Sequence, residues 1–579
     1  MAASSQVTGG RALAGRRIAS TTLRAIVEAS RTRYDDRRYR LTHRLVPVAI
    51  LAGLAFVVGV VVGALHVPAE RGAADRFARA WAKGDYDAMH AQLTDAARAR
   101  FPAQRFRDAY AATADTATAT RIRVGDARDP KNGVVEVPVR MSTRIFGMVK
   151  GTLRLPFSGK GDQARIDWGP ELTFPGLERG RSLTRTTRLP RRATIVARNG
   201  RALAKGDDRG SDLTTVAAET VGELGPIPPE QAASLRALGY PPDARVGISG
   251  LERALQPRLA GRPGGTLFAG GRAIARSRPV PARAVTTTID PRIAESAISA
   301  LGGASGGVAV LQPATGEVLA LAGTAFSTTG PPGSTFKVMT TTAALQDHKV
   351  KLTDQFPVST GAVLSGVTLA NANGESCGGT FVESFAHSCN SVFAPLGVKV
   401  GKQRLVQTAE AYGWNEPPQI PGAVTSTMPQ PSGIGDDLDL GSTAIGQGKV
   451  LASPLQMASV AATVGNHGLR VEPTLEFRRR SPRRRVMTPA LAATLRRLMI
   501  AVVKFGTGTA ADIPGVQVAG KTGTAELGLG PGQTDAWFIA FAPARRPKVA
   551  LAVWRLRAGA GGQVAAPIAR QILVSALGR

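Results

Sequence analysis

Cysteine is nearly absent from this 579-residue chain, which has only Cys377 and Cys389. Histidine is scarce as well: there are six, with no H-x-x-x-H pair and no Cys/His cluster. That rules out the usual zinc spacings, and no metal site is expected. Aromatic residues make up 5% of the chain, and no basic helix interleaves with them as a nucleic-acid module would require. Negative charge is short too, with 42 Asp and Glu against 73 Lys and Arg, a formal net charge of +31. Such basicity has three readings: nucleic acid, an anionic envelope surface, or an Ala/Arg/Gly-rich coding bias with no partner. The missing recognition module counts against the first. At this length one core does not suffice, and three or four domains are expected.

Long apolar runs are equally rare, with one exception. Residues 45–65 (LVPVAILAGLAFVVGVVVGAL) carry no charge over 21 positions, enough for a helix to span a bilayer. Residues 1–44 before it hold ten arginines and three acidic residues. Arginine on that side predicts a cytoplasmic N-terminus and an extracytoplasmic remainder. A cleaved signal peptide is the rival reading, but the run is long, lies late, and Leu65-His66-Val67 is not a small-x-small site.

Beyond the run, Ala73, Phe77, Ala80 and Trp81 recur at helical spacing, and Asp85 opens a second short helix. Strand-like stretches follow at 121–124, 133–141 and 148–155. Residues 70–177 therefore read as a helices-then-meander spacer, with a ligand cone as the alternative. Residues 178–284 are turn-rich and basic and read as a structural pedestal. In them Arg262-Pro263-Gly264-Gly265 predicts a hairpin turn, and Gly250–Leu255 a short helix. From Thr286 the composition changes: Thr288-Ile289-Asp290-Pro291 introduces a helix, then Val308–Leu311 and Val318–Leu321 form a buried hairpin.

Chemistry concentrates in this last part. Pro331-Pro332-Gly333 makes a turn, and Ser334 and Lys337 lie three residues apart at the start of a buried helix. On one face, the two side chains can touch. A serine hydroxyl becomes a nucleophile when a neighbouring base takes its proton. A lysine is such a base once burial or nearby positive charge lowers its pKa. Downstream, Ser388-Cys389-Asn390 offers a hydroxyl and an amide, and Lys521-Thr522-Gly523-Thr524 a cation with two hydroxyls. His387 reads as a structural loop residue. Residues 515–522 (GVQVAGKT) also match the Walker A pattern letter for letter. That pattern needs a loop opening a helix. Here Val516–Ala519 alternates like a strand, and the glycine-rich 526–532 that follows cannot be a helix. Lys521 and Thr522 are thus expected on a strand lining a cleft.

Taken in order, S-x-x-K, S-x-N and K-T-G resemble the signature of penicillin-binding proteins and serine β-lactamases. Residues 249–254 (SGLERA), 444–448 (AIGQG), 453–458 (SPLQMA) and 535–538 (DAWF) extend the likeness to the class B penicillin-binding proteins. Residues 70–177 resemble the NTF2-like extension of methicillin-resistance-type members. The resemblance implies a multidomain α/β and α+β protein. Its parts are a cytoplasmic Arg-rich tail (1–44), a single transmembrane helix (45–67), an NTF2-like α+β domain (70–177), a dimerisation-type pedestal (178–284) and a transpeptidase domain (285–579). The last has a central antiparallel sheet flanked by helices. It further implies a peptidoglycan D,D-transpeptidase in the cell membrane. Ser334 is the nucleophile, Lys337 its base, Ser388 the proton relay and Asn390 the donor-orienting amide. Lys521, Thr522 and Thr524 bind the donor carboxylate, while Gly523 permits close approach. The backbone N–H groups of Ser334 and Thr524 form the oxyanion hole. Stem peptides, β-lactams, the membrane and other cell-wall or divisome proteins are the implied partners, without a cofactor. A D,D-carboxypeptidase or β-lactamase shares the motifs and stays open, as does a non-catalytic sensor or scaffold. A disulfide between Cys377 and Cys389 is expected outside the membrane, where such bonds persist; two reduced buried cysteines are the alternative.

Overall fold

The computed structural model describes residues 46–65, 67–159, 161–527 and 533–579. The expectations for the tail, for Leu45 and for residues 528–532 lie outside the described residues. The apolar run forms a 20-residue helix, α1 (Val46–Leu65), with Pro47 in its first turn, where a missing N–H is tolerated. At 1.5 Å per residue, such a helix measures about 30 Å. Counting only residues whose side chains are described, no helix is long and apolar enough to cross a membrane.

The chain divides into two compact units. One holds the residues to Tyr110 with Ile122–Arg140 and Lys150–Arg179; the other holds Ala111–Arg121, Met141–Val149 and Gly180–Arg579. In the first, α2 (Ala69–Lys83) buries Ala73, Phe77, Ala80 and Trp81 as their spacing predicts. Asp85 then caps the helix Tyr86–His90 by accepting the Ala88 N–H. Strands β1 (Ala119–Val124), β2 (Val134–Thr143), β3 (Gly147–Ser158) and β4 (Arg165–Ile166) lie side by side in chain order. Phe106, Tyr110 and Trp168 are buried together, and the Trp168 indole N–H donates to Tyr110 Oη at 3.1 Å.

The pedestal belongs to the second unit. Strands β5 (Leu183–Arg188), β6 (Gly264–Ala269) and β7 (Arg272–Ser277) form one antiparallel sheet with β6 central. This corrects the expected turn at Arg262–Gly265. Gly264 and Gly265 sit inside β6, and the hairpin turns at Gly270-Gly271. The glycine pair marks a close crossing instead: a Cβ on Gly265 would stand 2.0 Å from the Thr186 carbonyl oxygen.

Beyond the pedestal, Asp290 caps α3 (Pro291–Leu301), its side chain accepting the N–H groups of Arg292 and Ile293. A five-stranded sheet follows, built from β8 (Gly306–Leu311), β9 (Val318–Gly323), β10 (Ala519–Glu526), β11 (Thr534–Ala542) and β12 (Val549–Arg555). Its order is β9-β8-β12-β11-β10, every pair antiparallel. Asp535–Ala542 are buried without a break, so both faces of the sheet are covered. The helices packed on it include α3, Pro454–Gly465 and Gly561–Leu577. β10 is an edge strand, and the turn Gly333–Phe336 packs against it beside the K-T-G residues.

Glu252, in the short helix Gly250–Ala254, is fully buried. It is paired by Arg192 at 2.5 Å and Arg209 at 2.6 Å, both nearly buried themselves. Removing one member of a buried ion triad leaves the others unpaired in low dielectric. Glu252→Ala is therefore expected to cost about 3–5 kcal/mol, read as a fall in the chemical-denaturation midpoint. A change within experimental error would show that the triad adds nothing to the pedestal.

Candidate active site

Ser334 and Lys337 do not begin one α-helix as their spacing suggested. A tight 3-10 turn, Gly333–Phe336, carries the serine, and the α-helix α4 (Lys337–Gln346) starts at the lysine. Pro331 and Pro332 supply no N–H to an α-helical turn, and Gly333 has a positive φ of 52°. Its N–H donates to the Gly446 carbonyl at 2.9 Å. A Cβ there would lie 2.6 Å from the Thr524 oxygen, so glycine lets the serine turn press against β10. No hydrogen bond joins Ser334 and Lys337 side chains among the described residues.

Lys337 turns instead to the S-x-N residues. Its Nζ donates to the Ser388 carbonyl at 2.6 Å and to Asn390 Oδ1 at 2.7 Å, with Ser388 Oγ at 3.3 Å. Lys521 Nζ approaches the same hydroxyl from the sheet, at 2.8 Å from Ser388 Oγ, and also donates to the Thr522 carbonyl at 3.1 Å. Both lysines are fully buried, and no carboxylate of the described residues pairs with either. Burial drives the pKa of Lys337 well below the ordinary lysine value, and the neighbouring Lys521 pushes it further down. Burial alone brings Lys521 to about 7. A neutral amine has two N–H donors and one lone pair. With its donors on Ser388 O and Asn390 Oδ1, Lys337 keeps that lone pair for a hydroxyl proton.

The S-x-N loop is held in a conformation that serine rarely takes. After α5 (Phe381–Ala386), His387 caps the helix and Ser388 adopts φ 63°, in the left-handed region uncommon for non-glycine residues. This aims the Ser388 carbonyl at Lys337. The Cys377–Cys389 disulfide, with Cα atoms 5.4 Å apart, clamps the next residue. Asn371, buried, adds a second clamp: it donates to the Ser359 and Glu375 carbonyls at 2.8 and 2.9 Å and accepts the Ser391 N–H at 2.9 Å. Asn390 opens α6 (Asn390–Val400) and donates to the Ala370 carbonyl at 2.8 Å. The disulfide was expected from the sequence. Asn371 was not, because a lone Asn in a loop carries no motif.

The third element is a strand, as the alternation before it implied. Regular pairing begins at Ala519, however, later than the expected Val516. Gly523 opposes Trp537 across the ladder, and a Cβ there would meet the Pro332 oxygen at 2.7 Å. Thr524 Oγ1 accepts the Gly561 N–H at 3.4 Å. The Walker A match is thus carried by a strand edge, without the helix a phosphate loop requires. Thr507 is a further residue that the motifs missed. Its N–H donates to the Ala386 carbonyl at 3.0 Å, and its hydroxyl lies 2.5 Å from Thr522 Oγ1. One residue, through its backbone N–H and its hydroxyl, therefore ties the end of α5 to the K-T-G strand.

If neutral Lys337 is the base, acylation of Ser334 rises with pH until that amine has lost its proton. Lys521→Met deletes one cause of the depressed pKa, so the rising limb should move to higher pH. At a fixed acidic pH the rate then falls about ten-fold for each unit of that movement. A pH–rate profile with an activated thioester checks this, and an unshifted limb would remove Lys521 from the tuning of Lys337.

Comparison with known proteins places this geometry among relatives. Residues 306–574 match the penicillin binding protein transpeptidase domain, 69–181 the NTF2-like N-terminal transpeptidase domain, and 205–270 the penicillin-binding protein dimerisation domain. The chain is 36% identical over 406 residues to peptidoglycan D,D-transpeptidase PbpA of Mycobacterium tuberculosis, covering 58% of this chain and 80% of that protein. To PbpA of Mycolicibacterium smegmatis it is 37% identical over 364 residues, covering 51% and 72%. Among solved structures it resembles the penicillin G acyl-enzyme complex of penicillin-binding protein A from M. tuberculosis, with TM-score 0.53 and 31% identity over 67% of this chain and 99% of that one. The D,D-transpeptidase domain of a peptidoglycan glycosyltransferase from Eggerthella lenta is similar too, with TM-score 0.55 and 26% identity over 67% and 98%.

Proposed function

This chain belongs to the class B penicillin-binding proteins, and we propose that it cross-links peptidoglycan as a serine D,D-transpeptidase through the residues assembled above. One observation carries the residue roles: the Ser388 hydroxyl lies between two buried lysines, one of which directly follows the Ser334 turn. The Lys337 lone pair takes the Ser334 proton, and Ser334 Oγ bonds to the carbonyl carbon of the penultimate D-alanine of a stem peptide. Negative charge gathers on the carbonyl oxygen, facing the N–H groups of Ser334 and Thr524. Collapse breaks the C–N bond, and the departing D-alanine amine receives its proton from Lys337 by way of Ser388. A neighbouring stem-peptide amine then attacks the ester, its proton returning to Ser334 Oγ as the serine leaves. Lys521, Thr522 and Thr524 hold the terminal carboxylate, and Asn390 orients the donor. A β-lactam supplies the same carbonyl and carboxylate, and its acyl group stays on the serine.

Ser334→Ala is expected to abolish covalent labelling by a fluorescent penicillin while leaving the thermal transition nearly unchanged. A label that survives, or that maps to another residue by mass spectrometry, overturns the assignment. Turnover of a donor thioester with and without an amine acceptor separates transfer from hydrolysis. Release of free acid alone, unaffected by the amine, would make the protein a carboxypeptidase or β-lactamase.

We also propose that α1 anchors the protein in the cell membrane by a single pass. The arginine-rich tail would lie in the cytoplasm and the catalytic unit outside, within reach of stem peptides and other cell-wall synthesis or divisome proteins. The uncharged 21-residue stretch and the ten arginines before it support this. A periplasmic-type reporter fused after residue 75 should be active only outside the membrane. Processed, soluble protein in the medium would show that the stretch is a signal peptide.

A further inference from the structure

Residues 478–485 read Arg-Arg-Arg-Ser-Pro-Arg-Arg-Arg, and nothing in acyl transfer calls for them. All six arginines are exposed. Arg483–Arg485 form a short strand paired antiparallel with Leu469–Val471, so Arg483 and Arg485 leave the same face of the strand from Cα atoms about 6.6–6.8 Å apart. Arg479 pairs with Glu476 at 3.1 Å, and Glu476 also binds Arg258. The nearby Glu472 is held by the buried Arg470 at 2.6 Å. No carboxylate of the described residues stands within 4.0 Å of Arg478, Arg480, Arg483, Arg484 or Arg485, while Glu472 attracts Arg484 from further off. Arg483 donates to the Ala314 carbonyl at 3.4 Å and Arg485 to that of His467 at 2.6 Å. Those bonds position the guanidinium groups yet leave other N–H donors of each fork free. So much like charge on one short strand repels itself in the absence of a counter-anion.

We propose that this arginine strand is a binding site for a phosphate-bearing linear polymer without bases. Guanidinium forks recognise phosphate bidentately, and every charged residue of the run is arginine, with no lysine. Two observations narrow the partner. No large apolar side chain is exposed between Val367 and Phe505 among the described residues, whereas surfaces that enter a bilayer pair charge with apolar groups. The aromatic ring in the cluster, Phe477, is covered by Arg198 at 5.6 Å and Arg478 at 5.2 Å. Guanidinium groups thus already occupy the ring surface on which a nucleobase would stack. The site is independent of the catalytic reading, and it gives part of the +31 charge a specific use.

The test uses the full-length protein in detergent and end-labelled linear inorganic polyphosphate, followed by anisotropy over a salt series. The triple variant Arg483→Gln/Arg484→Gln/Arg485→Gln is compared with Arg121→Gln/Arg123→Gln/Arg140→Gln, which removes the same charge from exposed arginines elsewhere. The first should lose ten-fold or more in affinity at physiological salt. Its slope of log K against log salt should flatten by roughly 0.7 for each phosphate no longer neutralised, the single-strand value. The second should stay within two-fold of wild type. Equal losses in both variants would reduce the effect to net charge and overturn the proposal, as would no binding by wild type. Phosphatidylglycerol vesicles form the other arm: loss of vesicle binding in the first variant with polyphosphate binding intact would assign the strand to lipid and likewise overturn it. Unchanged thermal transitions establish that both variants fold.

Discussion

Two lysines are kept out of water with no carboxylate of the described residues beside them, and the catalytic half of the molecule is arranged around that constraint. A buried ammonium without a counter-ion is costly unless it gives up its proton. The fold answers by supplying acceptors in fixed positions: the Ser388 carbonyl and Asn390 Oδ1 for Lys337, and Ser388 Oγ and the Thr522 carbonyl for Lys521. The two amines also act on each other, since Lys521 helps to keep Lys337 deprotonated. Proton transfer and carboxylate recognition therefore cannot be tuned separately. Whatever moves one amine toward water changes the field at the other.

Ser388 is where that arrangement is most demanding. Its carbonyl and hydroxyl serve different lysines at once, which requires the left-handed backbone angle seen there. Such a conformation persists only where its surroundings over-determine it. Here they do so three times: through the disulfide at Cys389, through Asn371 on Ser391, and through the His387 cap that ends α5. The segment from Asn371 to His387, which bears no catalytic residue, is thus the brace of the site.

Legibility in the sequence followed the kind of interaction. The three motifs, the buried hairpin of Val308–Leu311 with Val318–Leu321 and the buried stripe of α2 were readable, because each depends on local spacing or period. The strand character of Lys521–Thr524 could be read past a full Walker A match for the same reason: alternation before the lysine and glycine after it exclude a helix. What escaped were relations across the chain. Lys337 bonds to residues more than fifty positions away rather than to Ser334. Thr507 bridges Ala386 and Thr522 with no motif of its own. Gly264-Gly265 looked like a turn because two adjacent glycines usually make one, whereas their role is to admit the neighbouring strand. Close backbone packing leaves no periodic trace.

The same close packing sets limits on how this protein can change over generations. Gly333, Gly446 and Gly523 stand where any added carbon would lie 2.6, 2.1 and 2.7 Å from a main-chain oxygen of another segment. Main chain cannot step aside as a side-chain tip can. The three points where the nucleophile's turn meets the sheet and its neighbouring loop are therefore closed to substitution, whatever selective pressure an inhibitor applies. Adaptation must come from the rim of the cleft or from the rate of deacylation, and a lineage exposed to acylating drugs inherits a nucleophile whose position it has almost no means of altering.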